Sequence, residues 1–212
     1  MSGWFGWANA VAFTVGSQPV KWSDLVGNIC ALSTVALAVR RSLLTWPVQI
    51  IASVLLFGAS MSAHLGGNAA RQVVLGAMAA YGWWRWQRGI RESEHVTVRF
   101  ATGAERLLLL VSLAVGTAAF ATLLDLTHTS WAPIPDAYIF IGSVVATLAQ
   151  ARGLVEFWLV WVLVDCVGVP LAWTHGLVVS GAVYGIFLVL CVIGIRDWAL
   201  RSRSLQAEGA LA

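Results

Sequence analysis

The sequence predicts an all-α integral membrane fold: seven spanning helices, arranged as two parallel three-helix repeats around one linking helix. Three observations predict it. The 212 residues are 59% hydrophobic and only 11% charged, with a mean hydropathy of +0.80, whereas a soluble domain carries roughly 25% charged residues. The apolar stretches run on for helical lengths, while barrel strands alternate over about 10 residues. The chain also matches itself at one fixed offset, the one that carries Trp46 onto Trp158.

Residues 1–20 hold Trp4, Phe5, Trp7 and Phe13 among glycines and serines, and read as an N-terminal tail or a short interfacial helix. No basic region precedes an apolar core there, so no removable signal is expected. Spans are expected at 22–40, 44–64, 69–86, 105–125, 134–151, 153–173 and 176–196. Each is about 17–22 residues long, enough to cross a ~30 Å hydrocarbon core. The first three, 22–86, form the first repeat, 105–125 links, and the last three, 134–196, form the second repeat. The longest loop is 87–104, and 197–212 is a polar tail.

Basic residues set the orientation. Arg40, Arg41, Arg85, Arg88, Arg91, Arg99, Arg106, Arg152, Arg196, Arg201 and Arg203 share one side; of the 13 basic residues only Lys21 and Arg71 fall on the other. The crowded side is expected in the cytoplasm, which places the N-terminus outside and the C-terminus inside. The net charge of +3 then reports topology and gives no reason to expect nucleic acid.

At the repeat offset Asp24 pairs with Asp136, Arg40 with Arg152, Trp46 with Trp158, Gly82 with Gly194 and Trp86 with Trp198, without a gap. Asp, Arg and Trp are scarce here, so these matches carry the weight. One linking helix restores the orientation of the second triplet. The result is a 3+1+3 parallel repeat about an axis along the membrane normal, with a solute site expected between the repeats near the midplane.

Trp158, Trp161 and Asp165 lie at i, i+3 and i+7, which puts two indoles and a carboxylate on one helical face. Trp46, Gln49 and Ser53 form the same stripe at the equivalent positions of the first repeat. A carboxylate inside a bilayer marks a functional site by default. Flat aromatic faces beside one acidic acceptor suit a flat, hydrogen-bonding solute, uncharged or cationic. The fifth span carries a polar face, Asp136, Ser143, Thr147 and Gln150, which either lines the path or bonds neighbouring helices. Asn28, Gln72 and Tyr184 are further candidates for the cavity wall. Glu156 is expected in a surface pair with Arg152, at i and i+4. Trp22, Trp83, Trp84, Trp86, Trp131, Trp173 and Trp198 fall at predicted helix ends and read as an aromatic belt. Pro170 removes a backbone bond inside the sixth span and its repeat partner is Gly58, which marks a pair of hinges or a static bend.

Several classes are excluded or disfavoured. No Walker sequence is present, so no ATPase is built in. The single lysine, Lys21, is misplaced for a retinal Schiff base. No nucleophile–base pair or metal-ligand cluster is visible, so an enzyme or a bound cofactor is not expected. The small-residue rows of an energy-coupling-factor binding subunit are missing from the first span, though that remains a rival class.

The runs RRSLLTWPVQ at 40–49, YGWWRW at 81–86, PDAYIFIGSVVATLAQARGLVEFW at 135–158 and WVLVD at 161–165 resemble the PnuC family of vitamin transporters over nearly the whole chain. The resemblance implies a seven-helix fold related to SWEET proteins. It implies facilitated uptake by alternating access, with the vitamin trapped by an intracellular kinase, and a multi-pass position in the bacterial cytoplasmic membrane. A homotrimer is a further implication. The family's tryptophan stripe implicates Trp46, Gln49, Trp158, Trp161 and Asp165. The wording TWPVQ, PDAYIF and AQARGLVEFW is most similar to the actinobacterial riboflavin carriers of the family. Riboflavin therefore leads, with nicotinamide riboside or thiamine as alternatives.

Overall fold

The structure, a computed structural model, describes the chain except residues 1–9, 16–17, 63–65, 94–95, 131, 175–177 and 212. It opens with a small antiparallel hairpin, β1 (Val11–Val15) against β2 (Gln18–Lys21), in register Phe13 to Val20 and Val15 to Gln18. Over these residues a hairpin replaces the expected tail or interfacial helix. Alternating Val11, Phe13 and Val15, with Gly16 and Ser17 next in sequence, is a strand signal that the cluster of aromatics overshadowed.

Seven helices follow among the described residues: α1 (Trp22–Val39), α2 (Thr45–Ser62), α3 (Gly66–Ser93), α4 (Gly103–Leu126), α5 (Pro133–Ala151), α6 (Phe157–Thr174) and α7 (Val178–Leu211). Two of them, α4 and α5, are long and apolar enough on their own to cross a membrane. The apolar cores of α1, α2 and α6 are shorter. Helix α3 extends through Ser93 into the expected loop, and α7 extends through the expected tail. The α3 extension carries Gln87, Arg88 and Arg91, and the α7 extension is rich in Ala, Leu and Arg, good helix formers that need no membrane to stay helical.

The turns from α1 to α2 and from α5 to α6 are built alike. Arg41 and Gly153, which the expected repeat offset pairs, hold positive φ at 56° and 69°. In the first turn the N–H of Arg41 donates to the Ala38 carbonyl at 2.9 Å and that of Ser42 to Leu37 at 3.0 Å. In the second, Gly153 donates to Gln150 at 2.9 Å and Leu154 to Ala149 at 3.0 Å. This left-handed cap satisfies the last carbonyls of each helix and ends it. The next helix starts at Thr45 or Phe157, with Pro47 in the first turn of α2, where its missing N–H costs nothing. The expected pairing of Arg152 with Glu156 fails for this reason: the turn lies between them, so they never share a helical face. Helix α4 begins with a reciprocal cap, Thr102 bonding the Glu105 N–H and Glu105 bonding back to Thr102.

The helices close into a ring. Within each triplet the middle helix packs between the other two, so α2 touches α1 and α3, and α6 touches α5 and α7. Across the triplets α3 packs on α5 and α1 on α7. The cyclic order is therefore α1, α2, α3, α5, α6, α7, with α2 and α6 on opposite sides. Helix α4 packs along α5 and stays outside the ring. Its outward face, with Leu107, Leu110 and Val115 all exposed, presents hydrocarbon to its surroundings.

Candidate solute site

Ser53 lies eight residues into α2, Asp165 eight into α6, and Ser143 eight before the end of α5. All three are thus about 12 Å from the two turns, at one level in the ring. Gly142 packs against Val164, which ties α5 and α6 together at that depth. Ser53, Ser143 and Asp165 are all buried. The stripes expected from the sequence therefore fall on opposite helices of the ring and at matching heights, with Gln49 and Trp161 one turn closer to the turns.

The wall supplied by α5 is polar and bonded along itself. Ser143 Oγ donates to the Ile139 carbonyl at 2.7 Å, and Thr147 Oγ1 donates to the Ser143 carbonyl at 2.7 Å. The Ser143 hydroxyl accepts from Arg71 Nη2 of α3 at 3.2 Å. Gln150 is buried, and its backbone carbonyl accepts from the Trp86 indole at 3.2 Å. Asp136 of the same face sits apart, accepting from Ser130 Oγ near the helix start. Gln72 is buried on α3. With Ser53 it contributes to a cavity of about 310 Å³ lined also by Ile50, Val54, Phe57, Val73 and Gly76. This cavity lies between two helices of the first triplet rather than between the triplets. The side chains of Asn28 and Tyr184 lie outside the described residues. Pro170 falls inside α6, as expected, and Gly58 is buried in α2.

Trp46 and Trp158 belong to a different layer. Because the turns delay α2 and α6, both indoles stand in first helical turns, and Trp158 is shallower than its distance from Arg152 suggests. Each is only 1% exposed. Trp46 lies over Gly82 of α3 and Trp158 over Gly194 of α7. Trp86 meets Trp46 edge-on at 5.1 Å between ring centres, Trp198 meets Trp158 edge-on at 6.0 Å, and Trp86 and Trp198 lie 6.2 Å apart. Four indoles thus form a continuous floor across the ring at its turn end. Two hydrogen bonds lock it: Trp86 Nε1 donates to Gln150 O across α3 and α5, and Trp198 Nε1 donates to Ala38 O at 3.0 Å across α7 and α1. The two donors are related by the repeat offset, and so are the two acceptors. The belt reading is corrected for Trp86 and Trp198, which are buried, while Trp22 and Trp84 are exposed. Trp131 lies outside the described residues. The pairing of Trp86 with Trp198 at the repeat offset was the available signal for their inward role.

Charge gathers outside this floor. Glu156, expected in a surface pair with Arg152, is buried instead and accepts from Arg106 Nε at 2.9 Å and Ala101 N at 2.8 Å. Arg99 holds Glu105 through two bonds of 2.6 and 2.7 Å, and Glu105 raises the Arg99 pKa above its ordinary value. The loop before α4 is thereby pinned to the turn before α6: the Arg99 N–H donates to the Gly153 carbonyl, and the Val155 N–H to the Arg99 carbonyl, each at 3.0 Å. On the other side Arg41 bridges to Asp197 at 2.7 Å.

The buried polar atoms in these layers that find no hydrogen-bond partner among the described residues include Ser53 Oγ, Gln150 Nε2, Thr45 Oγ1 and the indole nitrogens of Trp46 and Trp158. An unmade buried hydrogen bond costs about 1–3 kcal/mol. Groups in this condition, ranged from the floor to the mid-ring level, are suited to bonding a solute.

Residues 21–200 match the family model described as nicotinamide mononucleotide transporter. The chain is 52% identical over 200 residues to the riboflavin/roseoflavin transporter RibM of Streptomyces davaonensis, covering 93% of each chain. It is 26% identical over 214 residues to the nicotinamide riboside transporter PnuC of Escherichia coli, covering 89% of each. Its fold matches the crystal structure of the vitamin B3 transporter PnuC with a TM-score of 0.70 at 20% identity, over 86% of this chain and 83% of that one.

Proposed function

The chain belongs to the nicotinamide mononucleotide transporter family, and on that premise we propose that it carries riboflavin into the cell by facilitated, alternating-access transport. The observation that carries this reading is the 52% identity to a riboflavin/roseoflavin transporter over 93% of both chains. It sits in the bacterial cytoplasmic membrane with its turn end inside, a placement supported by the arginines gathered there. The triplets act as a 3+1+3 repeat, a reading supported by the matched turns and matched indole bonds at the repeat offset. An intracellular kinase traps the vitamin, so no energy source is needed in the transporter. The family resemblance extends the proposal to a homotrimer.

The isoalloxazine ring system enters from the outer side and rests against Trp161 above the indole floor. Stacking on an aromatic face contributes about 0.5–1.5 kcal/mol beyond burial. Gln49, Ser53, Ser143, Thr147 and Asp165 bond the ring edge and the ribityl hydroxyls, and Gln150, Gln72, Asn28 and Tyr184 complete the wall. Trp46 and Trp158 close the inner end and swing with their triplets when the floor parts. Pro170 and Gly58 are the hinges of that motion.

Nicotinamide riboside is the second reading, favoured by the 26% identity to its transporter. Tryptophan fluorescence of the purified protein separates them. Riboflavin is expected to quench it saturably, with nicotinamide riboside and thiamine having no effect at the same concentrations. Quenching by nicotinamide riboside alone would transfer the proposal to that vitamin.

A further inference from the structure

The two seams between the triplets are closed by matching indole bonds and are otherwise unlike. At the turn end Trp86 Nε1 bonds Gln150 O across the α3–α5 seam, and Trp198 Nε1 bonds Ala38 O across the α1–α7 seam. The α3–α5 seam carries a strap as well. Residues 97–101, which follow α3, lie along the turn between α5 and α6 in a short parallel bridge, Arg99 to Leu154. Two backbone bonds of 3.0 Å hold it, from the Arg99 N–H to Gly153 O and from the Val155 N–H to Arg99 O. The Ala101 N–H donates to Glu156 at 2.8 Å. Val98 and Ala101 are buried and share one core cluster with Leu154, Val155 and Phe157. The chain leaving the first triplet is thus anchored to the second by backbone pairing and burial. The α1–α7 seam has no such cover among the described residues. It is closed at this end by the Trp198 bond and by Arg41 with Asp197 at 2.7 Å, a partly exposed pair of a weak kind. The rings divide in the same way. Trp198 packs on Phe157 at 4.8 Å and on Trp158, and Trp86 on Trp46. Among the described rings, the contact of Trp86 with Trp198 at 6.2 Å joins the two sets.

We propose that the turn end opens along the α1–α7 seam, while the strap keeps the α3–α5 seam shut. The inference rests on the alternating-access reading above. Opening separates Trp198 from Ala38 and from Trp86, and it releases Arg41 from Asp197. Trp86 keeps Gln150, and the strap keeps its place on the turn. The solute then leaves between α1 and α7. The physical reason is the difference in what must be broken. A single side-chain hydrogen bond can be exchanged for one to water, and its net contribution is modest. The strap must lose backbone pairs and buried apolar surface together. Two bonds that the repeat offset makes equivalent therefore act differently: Trp198 is a latch, and Trp86 belongs to the line that does not part.

Thiol labelling of the full-length chain in inside-out vesicles tests this. Cys30→Ser and Cys166→Ser leave Cys191, which is buried on α7, seven residues before Trp198. That places it about 10 Å beyond the floor, toward the mid-ring level. A membrane-impermeant maleimide in the bath reaches it when the floor parts. Trp198→Phe removes the N–H and keeps an aromatic ring, and should speed labelling about three- to tenfold. Asp197→Ala should speed it by a smaller factor. Trp86→Phe removes the equivalent N–H and should leave the rate close to that of the unaltered latch. Equal rates for Trp86→Phe and Trp198→Phe, whether raised or not, overturn the proposal. So does faster labelling in Trp86→Phe than in Trp198→Phe. If Trp198→Phe does not fold, Asp197→Ala decides, and no acceleration there overturns the proposal. Riboflavin uptake is measured on the same protein in right-side-out vesicles. Its absence refutes the transport reading itself, whatever the labelling shows, whereas uptake together with equal labelling refutes the seam alone.

Discussion

Gly82 and Gly194 decide where the indole floor can lie. A methyl group at either position would collide with the ring above it, Trp46 in one case and Trp158 in the other. Fixed rings in a packed layer cannot yield cheaply, so Gly82→Ala and Gly194→Ala should each destabilise by about 1–3 kcal/mol. Gly185, by contrast, has open space where its side chain would be. Gly185→Ala should be neutral or gain about 0.5–1 kcal/mol from the lower flexibility of the unfolded chain. Thermal unfolding of the three variants in detergent checks the contrast. Equal melting temperatures for all three would mean that the indoles do not press on these glycines. At this scale the sequence was informative about which residues matter and less so about what they do. The spacing of Trp158, Trp161 and Asp165 placed them together on α6. It could not show that Trp158 belongs to a sealed layer while Asp165 lies deeper, because that depends on where the helix starts.

The helix starts are governed by the two left-handed turns. Gly153 occupies the one before α6 at no conformational cost, whereas Arg41 occupies the one before α2 as a side-chain-bearing residue in a region that costs about 1–2 kcal/mol. Arg41 regains part of this through Asp197, a partly exposed pair of the kind that contributes about 0–1 kcal/mol. Gly153→Ala adds the strain and also drives a methyl into the Thr97 carbonyl. Its melting temperature should fall clearly, while Arg41→Gly should stay close to the native value because relief of strain and loss of the pair offset. A Gly153→Ala variant as stable as the native protein would contradict the description of the turn and of the loop docked on it. Element positions in the apolar stretches were legible from hydropathy to within a few residues. The turn was not, because a single positive φ at Arg41 leaves no compositional trace. Nor were the polar ends of α3 and α7, where helix formation owes nothing to the apolar pattern that marked the spans.

For the whole molecule, the repeat offset carried more than the hydropathy. One and the same offset relates the indoles of Trp46 and Trp158 and the crossing bonds from Trp86 and Trp198, and it brings the turns at Arg41 and Gly153 together. The ring that these contacts close sets α2 opposite α6, and the chemistry of the two sides differs, since the offset pairs Ser53 with Asp165 and Arg71 with Val183. The charged clamp of Glu156 with Arg106 and the Ala101 N–H joins the second triplet to the linking helix, a connection that no periodicity in the sequence announces. Purified protein in vesicles, without kinase or nucleotide, should let labelled riboflavin enter saturably until the inner concentration equals the outer one, and then stop. Accumulation above the outer level, or no entry at all into sealed vesicles, would contradict the account.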